Sequence, residues 1–202
     1  MQSKVKEFFE QFPLEEYRRG DIIIFAHMNL GAVYYIESGT VIEYDIAAKG
    51  TRTILNTFKP TAFFPMSNAV NDVDTPYFFE AEGTVKLRKA PSDQAVQFVK
   101  QHPDVLYDLL QRTYRGADGL LARLSEMMHG DAESRILQEL DIIKQRFGYE
   151  SIEAGDLLMR KVSEIELAER TGLARETISR AIQKLKTKSG LKIQKGHFII
   201  AR

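Results

Sequence analysis

With 202 residues, 44% of them hydrophobic, the chain is long enough to bury one large core or two small ones, and its composition is not that of a disordered protein. It has no Cys, which excludes disulfides, thiolate nucleophiles, Cys-ligated zinc and thiolate-held iron–sulfur clusters. Lys plus Arg number 28 and Asp plus Glu number 28, so net charge predicts no nucleic-acid partner. No apolar run reaches the roughly 20 residues that span a bilayer, and residues 1–10 alternate charge with Phe instead of forming a signal-peptide core, which predicts a cytoplasmic protein without a membrane partner.

The first half reads as short strands separated by turns. β-Branched and aromatic residues dominate 21–25, 32–36, 40–44, 51–55 and 77–79. Turn signals stand between them at Gly20, Asn29-Leu-Gly31, Ser38-Gly39, Lys49-Gly50, Lys59-Pro60 and Glu82-Gly83. Many short strands with frequent Gly turns predict a sandwich or jelly roll.

From Pro103 the period changes. Leu106, Leu110, Thr113, Ala117, Leu120, Leu124 and Met127 recur at alternating intervals of four and three, the seam of a coiled coil. Pro103 suits a first helical turn and Gly130 an end, and so long a helix predicts self-association through this stripe. Gly116, Ala117 and Gly119 permit close helix approach. A second helix over 132–146 carries Ile136, Leu137, Leu140 and Ile143 on one face, with the hinge before it at 129–131.

Charge is uneven along the chain. Residues 175–202 hold eight basic side chains (Arg175, Arg180, Lys184, Lys186, Lys188, Lys192, Lys195 and Arg202) against one acid, Glu176. Ser163-Glu-Ile-Glu166 is a capping box that predicts a helix start, with Glu166 reaching back to the cap. Thr171-Gly172-Leu173 predicts a tight turn, and a second helix follows over 175–188. Ile165, Leu173, Ile178, Ile182 and Leu185 form the apolar faces that set the crossing. This is helix-turn-helix spacing. Arg175, Glu176, Ser179 and Arg180 cluster at the N-terminal end of the second helix, the end that enters a major groove: Arg suits guanine O6 and N7, Glu accepts from cytosine N4, and Ser serves base or phosphate. Thr177, Lys184, Lys186, Lys188 and Lys195 suit phosphates, which give affinity without sequence. Strands at 191–194 and 197–200, joined at Lys195-Gly196, predict a wing.

In this order the parts resemble the CRP/FNR superfamily of bacterial transcription regulators over nearly the whole chain. Arg19-Gly-Asp-Ile-Ile23, Val33-Tyr-Tyr-Ile-Glu-Ser-Gly-Thr-Val41 and Arg175-Glu-Thr-Ile-Ser-Arg180 are similar to its best-marked motifs. The resemblance implies an α+β fold: an N-terminal β jelly roll of cyclic-nucleotide-binding type over 1–101, a long dimerisation helix over 102–130 and a C-terminal winged helix-turn-helix over 131–202. It further implies a homodimer on double-stranded DNA, with RNA polymerase as a further partner. Arg175, Glu176 and Arg180 match the residues that read a GTGA-like half-site in one branch, while Glu176, Ser179 and Arg180 match those that read a TTGAT-like half-site in another, so the shared expectation is a TGA-like core. Ala174 departs from the Ser or Thr helix cap common in relatives.

In relatives that bind cyclic nucleotides, a Gly-Glu-Leu-like segment holds the ribose and a downstream Arg the phosphate. Here the stretch is Ala62-Phe-Phe-Pro-Met-Ser67, and no Arg stands between Arg52 and Arg88, so a buried phosphate lacks its cationic partner and the usual mode is not expected. Phe63, Phe64, Met66, Tyr77 and Phe79 could line an apolar effector pocket or simply fill a core. The effector itself is unknown. No metal site or resident cofactor is expected; His27 and His102 are the conceivable haem ligands, but neither has a recognised spacing. The four His are scattered and no phosphate loop is present, so no enzymatic activity is expected. The competing reading is a ligand-binding or protein-interaction module without sequence-specific DNA binding.

Overall fold

The computed structural model describes residues 2–28 and 31–201. Asn29 and Leu30 of the turn expected before Gly31, and Arg202 of the basic tail, lie outside the described residues. The chain divides into two compact units, Met1–Arg112 and Thr113–Arg202, and the division falls inside one long helix. No helix among the described residues is long and apolar enough to cross a membrane.

The first unit opens with α1 (Gln2–Glu10) and β1 (Leu14–Tyr17), followed by β2 (Ile22–Ile24), β3 (Ala32–Ser38), β4 (Val41–Ile46), β5 (Arg52–Phe58) and β6 (Phe63–Phe64). A short α2 (Met66–Asn71) leads to β7 (Phe78–Ala81), β8 (Val85–Pro91) and α3 (Ser92–Gln101). The strands form two antiparallel four-stranded sheets, ordered β1-β8-β3-β6 and β2-β7-β4-β5, a roll with the expected strand-and-turn logic.

The period of two explains why β3 is buried at every position from Ala32 to Ile36. Val33 and Tyr35 join Val5, Phe9, Phe63, Phe98 and Val99 in a cluster that includes α1 and α3. Ala32, Tyr34 and Ile36 join Val41, Phe64, Phe79 and Leu87 in the other core cluster. Both faces of the strand are therefore covered, and no polar alternation survives. Gly39 closes the β3–β4 turn at φ +91°, where a Cβ would stand 2.5 Å from the Thr84 carbonyl oxygen. β1 and β8 were not expected as strands, although Val85 and Leu87 do alternate with Lys86 and Arg88.

The second unit takes over within α4 (Pro103–His129) and continues with α5 (Ala132–Phe147), β9 (Tyr149–Ile152), β10 (Gly155–Leu158), α6 (Glu164–Thr171), α7 (Arg175–Lys188), β11 (Lys192–Gln194) and β12 (His197–Ile200). The Asp131 carboxylate caps α5 by accepting from the Ser134 N–H at 2.8 Å. Its inner face, Ile136, Leu140 and Ile143, packs with Leu167, Ile178, Ile182, Leu185 and Phe198 in a single core. The sheet is ordered β11-β12-β10-β9, so the hairpin expected alone is the outer half of four strands. Inside this unit the guanidinium of Arg123 grips the buried Glu139 carboxylate with two N–H groups, one of them at 2.9 Å, and so ties the last turns of α4 to α5.

Candidate nucleic-acid interface

The Ser163 hydroxyl oxygen accepts from the Glu166 N–H at 3.1 Å and starts α6 as expected. Glu166 does not complete the box. Its carboxylate accepts from Arg160 and, at 2.7 Å, from the buried Arg170, because a charged guanidinium is a stronger partner than a neutral backbone N–H. Gly172 ends the helix in the left-handed region, at φ +70°, and donates to the Ala168 carbonyl at 2.9 Å. Ala174, in an extended conformation, then opens α7 with no side-chain cap, a loss of about 1 kcal/mol relative to Ser or Thr.

The core fixes which face of α7 meets solvent. Ile178, Ala181, Ile182 and Leu185 are buried at helical spacing, and the remaining surface carries the expected polar set. Arg175, Glu176 and Arg180 are exposed, while Ser179 and Thr177 are half-buried. Arg180 donates from Nε to the Glu176 carbonyl at 3.2 Å, which draws the guanidinium back along its own helix. The four residues expected to read bases thus occupy one end of one helix. Ile165, expected on the apolar face, is instead 54% exposed. It lies in the first turn of α6, ahead of the contact that buries Leu167.

Of the residues expected to meet phosphate, Lys186 and Lys195 are exposed, and Lys195 sits in the β11–β12 turn at φ +50°. Lys184 and Lys188 are exposed too, but each lies 3.5 Å from the Glu133 carboxylate of α5. Sequence reading did not find Glu133, because nothing local marks an acid that lies about fifty residues from its partners. Lys161 was also missed. Its methylenes lie against the wing turn, its Cδ being 3.5 Å from where a Cβ on Gly196 would stand.

Along α4, Leu106, Leu110, Leu120, Leu124 and Met127 are 44–56% exposed, and Thr113 and Ala117 are exposed with them. A second heptad column stands beside that seam. Tyr107, Tyr114, Leu121 and Met128 are 62–68% exposed, which widens the apolar stripe beyond the residues first singled out.

The five candidate effector residues do not share one surface. Phe63 and Met66 belong to the cluster with α1 and α3, whereas Phe64 and Phe79 stack at 5.2 Å in the other core, with Phe58 against both and Tyr77 at its margin. Alternation along β6 separates Phe63 from Phe64. Glu43, not singled out from sequence, shares its face of β4 with Val41, and its register partners are Asn56 and Phe79. His27 is exposed, and His102 packs on Phe98 with Nδ1 at 2.7 Å from the Phe98 carbonyl oxygen. Among the described residues no group of three or more His, Asp or Glu is placed to hold a metal ion.

Residues 14–102 match the cyclic nucleotide-binding domain family. Over 191 residues the chain is 27% identical to a global nitrogen regulator of Synechocystis sp., covering 90% of this chain and 81% of that protein. Among solved structures, the c-di-GMP responsive global regulator CLP of Xanthomonas campestris matches at a TM-score of 0.82 and 17% identity over 100% of both chains. A CRP/FNR-family transcriptional regulator from Thermus thermophilus matches at a TM-score of 0.71 and 21% identity over 94% of both chains.

Proposed function

We infer that the chain, whose residues 14–102 match the cyclic nucleotide-binding domain family, is a CRP/FNR-type regulator: a sequence-specific, DNA-binding transcription regulator that works as a homodimer. The observation that carries this reading is the exposed set Arg175, Glu176 and Arg180, with Ser179, on one end of a helix whose opposite face is locked into the core. That end enters the major groove and reads a TGA-like core, while Lys184, Lys186, Lys188 and Lys195 of α7 and the wing, with Thr177, meet phosphates. The apolar stripe of α4 joins two chains, so that two α7 helices meet half-sites about one helical turn apart. Residues 1–101 act as the sensor, 102–130 as the dimer helix and 131–202 as the reader. RNA polymerase is the partner through which binding is read out in the cytoplasm.

The sensor does not take a cyclic nucleotide in the usual mode, since the segment over 62–67 offers no ribose acid and the chain has no Arg from 53 to 87 to meet a phosphate. The reading requires no resident cofactor and no catalytic step.

Equilibrium binding to a duplex with inverted TGA half-sites, against a scrambled duplex of equal length, tests the reading. Arg175→Ala and Glu176→Ala are expected to abolish most of the preference between the two, whereas Lys195→Ala lowers affinity for both alike. Equal affinity of the unmodified protein for both duplexes at physiological salt overturns it.

A further inference from the structure

Lys184 and Lys188 stand one turn apart on α7 and converge on one carboxylate: the Lys184 ammonium is 3.5 Å from Oε1 of Glu133 and the Lys188 ammonium 3.5 Å from Oε2. Glu133 lies in the first turn of α5, two residues past the cap Asp131, whose own carboxyl is held below its ordinary value chiefly by the Ser134 N–H and in small part by Lys188. The lysine side chains are 64% and 68% exposed, the glutamate side chain 18%. The acid is therefore fixed by the body of the unit and the cations are free to swing. Glu133 also has a reason to be where it is as a lone helix residue, since a first-turn acid suits the helix dipole, but that role asks for no lysine at either oxygen.

Resting on the DNA-binding reading above, we propose that Glu133 is an internal phosphate mimic that sets the sequence-independent part of DNA affinity. In the DNA-free protein it occupies the two ammonium groups that duplex phosphate would take, and it stays beside them as a like charge when phosphate arrives. Exposed lysines near a carboxylate in water are weakly held, so DNA competes with the contact and displaces it only in part, at a cost in affinity. That cost falls on backbone attraction, which is blind to sequence, and not on Arg175, Glu176, Ser179 and Arg180 at the other end of α7. Glu133 thereby holds down the backbone part of binding to any duplex while base reading is untouched.

Anisotropy titrations of the full chain against the inverted TGA duplex and the scrambled duplex, from about 50 to 200 mM salt, test this. Glu133→Gln is expected to steepen the slope of log K against log salt by about one to two, since each lysine released to a phosphate adds about 0.9. It should raise affinity for both duplexes by about three- to tenfold at low salt, a change read on the scrambled duplex even if specific recognition fails. In a Lys184→Gln, Lys188→Gln background the same change at Glu133 should leave the slope as it was. Weaker binding by Glu133→Gln, an unchanged slope, or an equal steepening without the two lysines overturns the proposal. Equal affinity of the unmodified protein for both duplexes overturns instead the reading on which it rests.

Discussion

Glu43 is a carboxyl whose chemistry the fold alters. Its strand neighbours on the same face are Val41, Phe79 and Asn56, and burial among them pushes its carboxyl up from 4.5 to about 7, with the Asn56 amide pulling weakly the other way. In the unfolded chain the group ionises near its ordinary value, so between pH 4.5 and about 7 the folded protein holds a proton that the unfolded chain has released. Stability from this group is thus complete below pH 4.5, is lost as pH rises to about 7, and is level above. Glu43→Gln keeps the shape and the hydrogen bonding and cannot ionise. Denaturant unfolding at pH 5 and pH 7.5 is expected to show the variant gaining on the unmodified protein at the higher pH, and an identical pH dependence for the two would contradict the assignment.

At the scale of elements, what could be read from sequence follows how local each determinant is. The bounds of α4 and α7 were legible because long periodic patterns carry cap signals at both ends: Pro103 and Gly130 for one, Gly172 and the lysine-rich last turn for the other. β1 was not legible, because Leu14-Glu-Glu-Tyr17 is half polar and becomes a strand only by pairing with β8. β9 and β10 were missed for a like reason, their order coming from β12 across the unit. The candidate interface divides the same way: Arg175 through Arg180 are proposed from one helix, while Glu133 and Lys161 come near it only through tertiary packing. On α4 the exposed column of Tyr107, Tyr114, Leu121 and Met128 lies outside the expected seam, because an a/d pattern describes a narrower face than the one exposed. Leu124→Glu places a charge near the C-terminal end of the stripe, at a residue 52% exposed in the single chain. Sedimentation equilibrium is expected to give the mass of one 23.1 kDa chain for the variant and twice that for the unmodified protein, with unchanged helical content. A variant that remains dimeric would remove the stripe from the interface.

At the scale of the whole molecule, the chain pairs a β-roll of cyclic nucleotide-binding type with a winged helix-turn-helix, and its charge balance conceals the pairing: 28 basic and 28 acidic residues cancel overall, yet the last 28 residues hold eight basic groups and a single acid. In the proposed function that segregation supplies backbone attraction, and the Arg-Glu-Ser-Arg end of α7 supplies choice. The first unit is a different case. Its aromatic residues stack on one another in the core, and burial holds the Glu43 carboxyl above its ordinary value. The central claim is that α7 reads sequence, and selection of binding sites from a random duplex pool measures it most directly. The account predicts enrichment of an inverted repeat with a TGA-like core in each half, centres about one helical turn apart, and its loss with Arg175→Ala, Glu176→Ala and Arg180→Ala together. A pool that emerges without an enriched motif, or one unchanged by those substitutions, would contradict it.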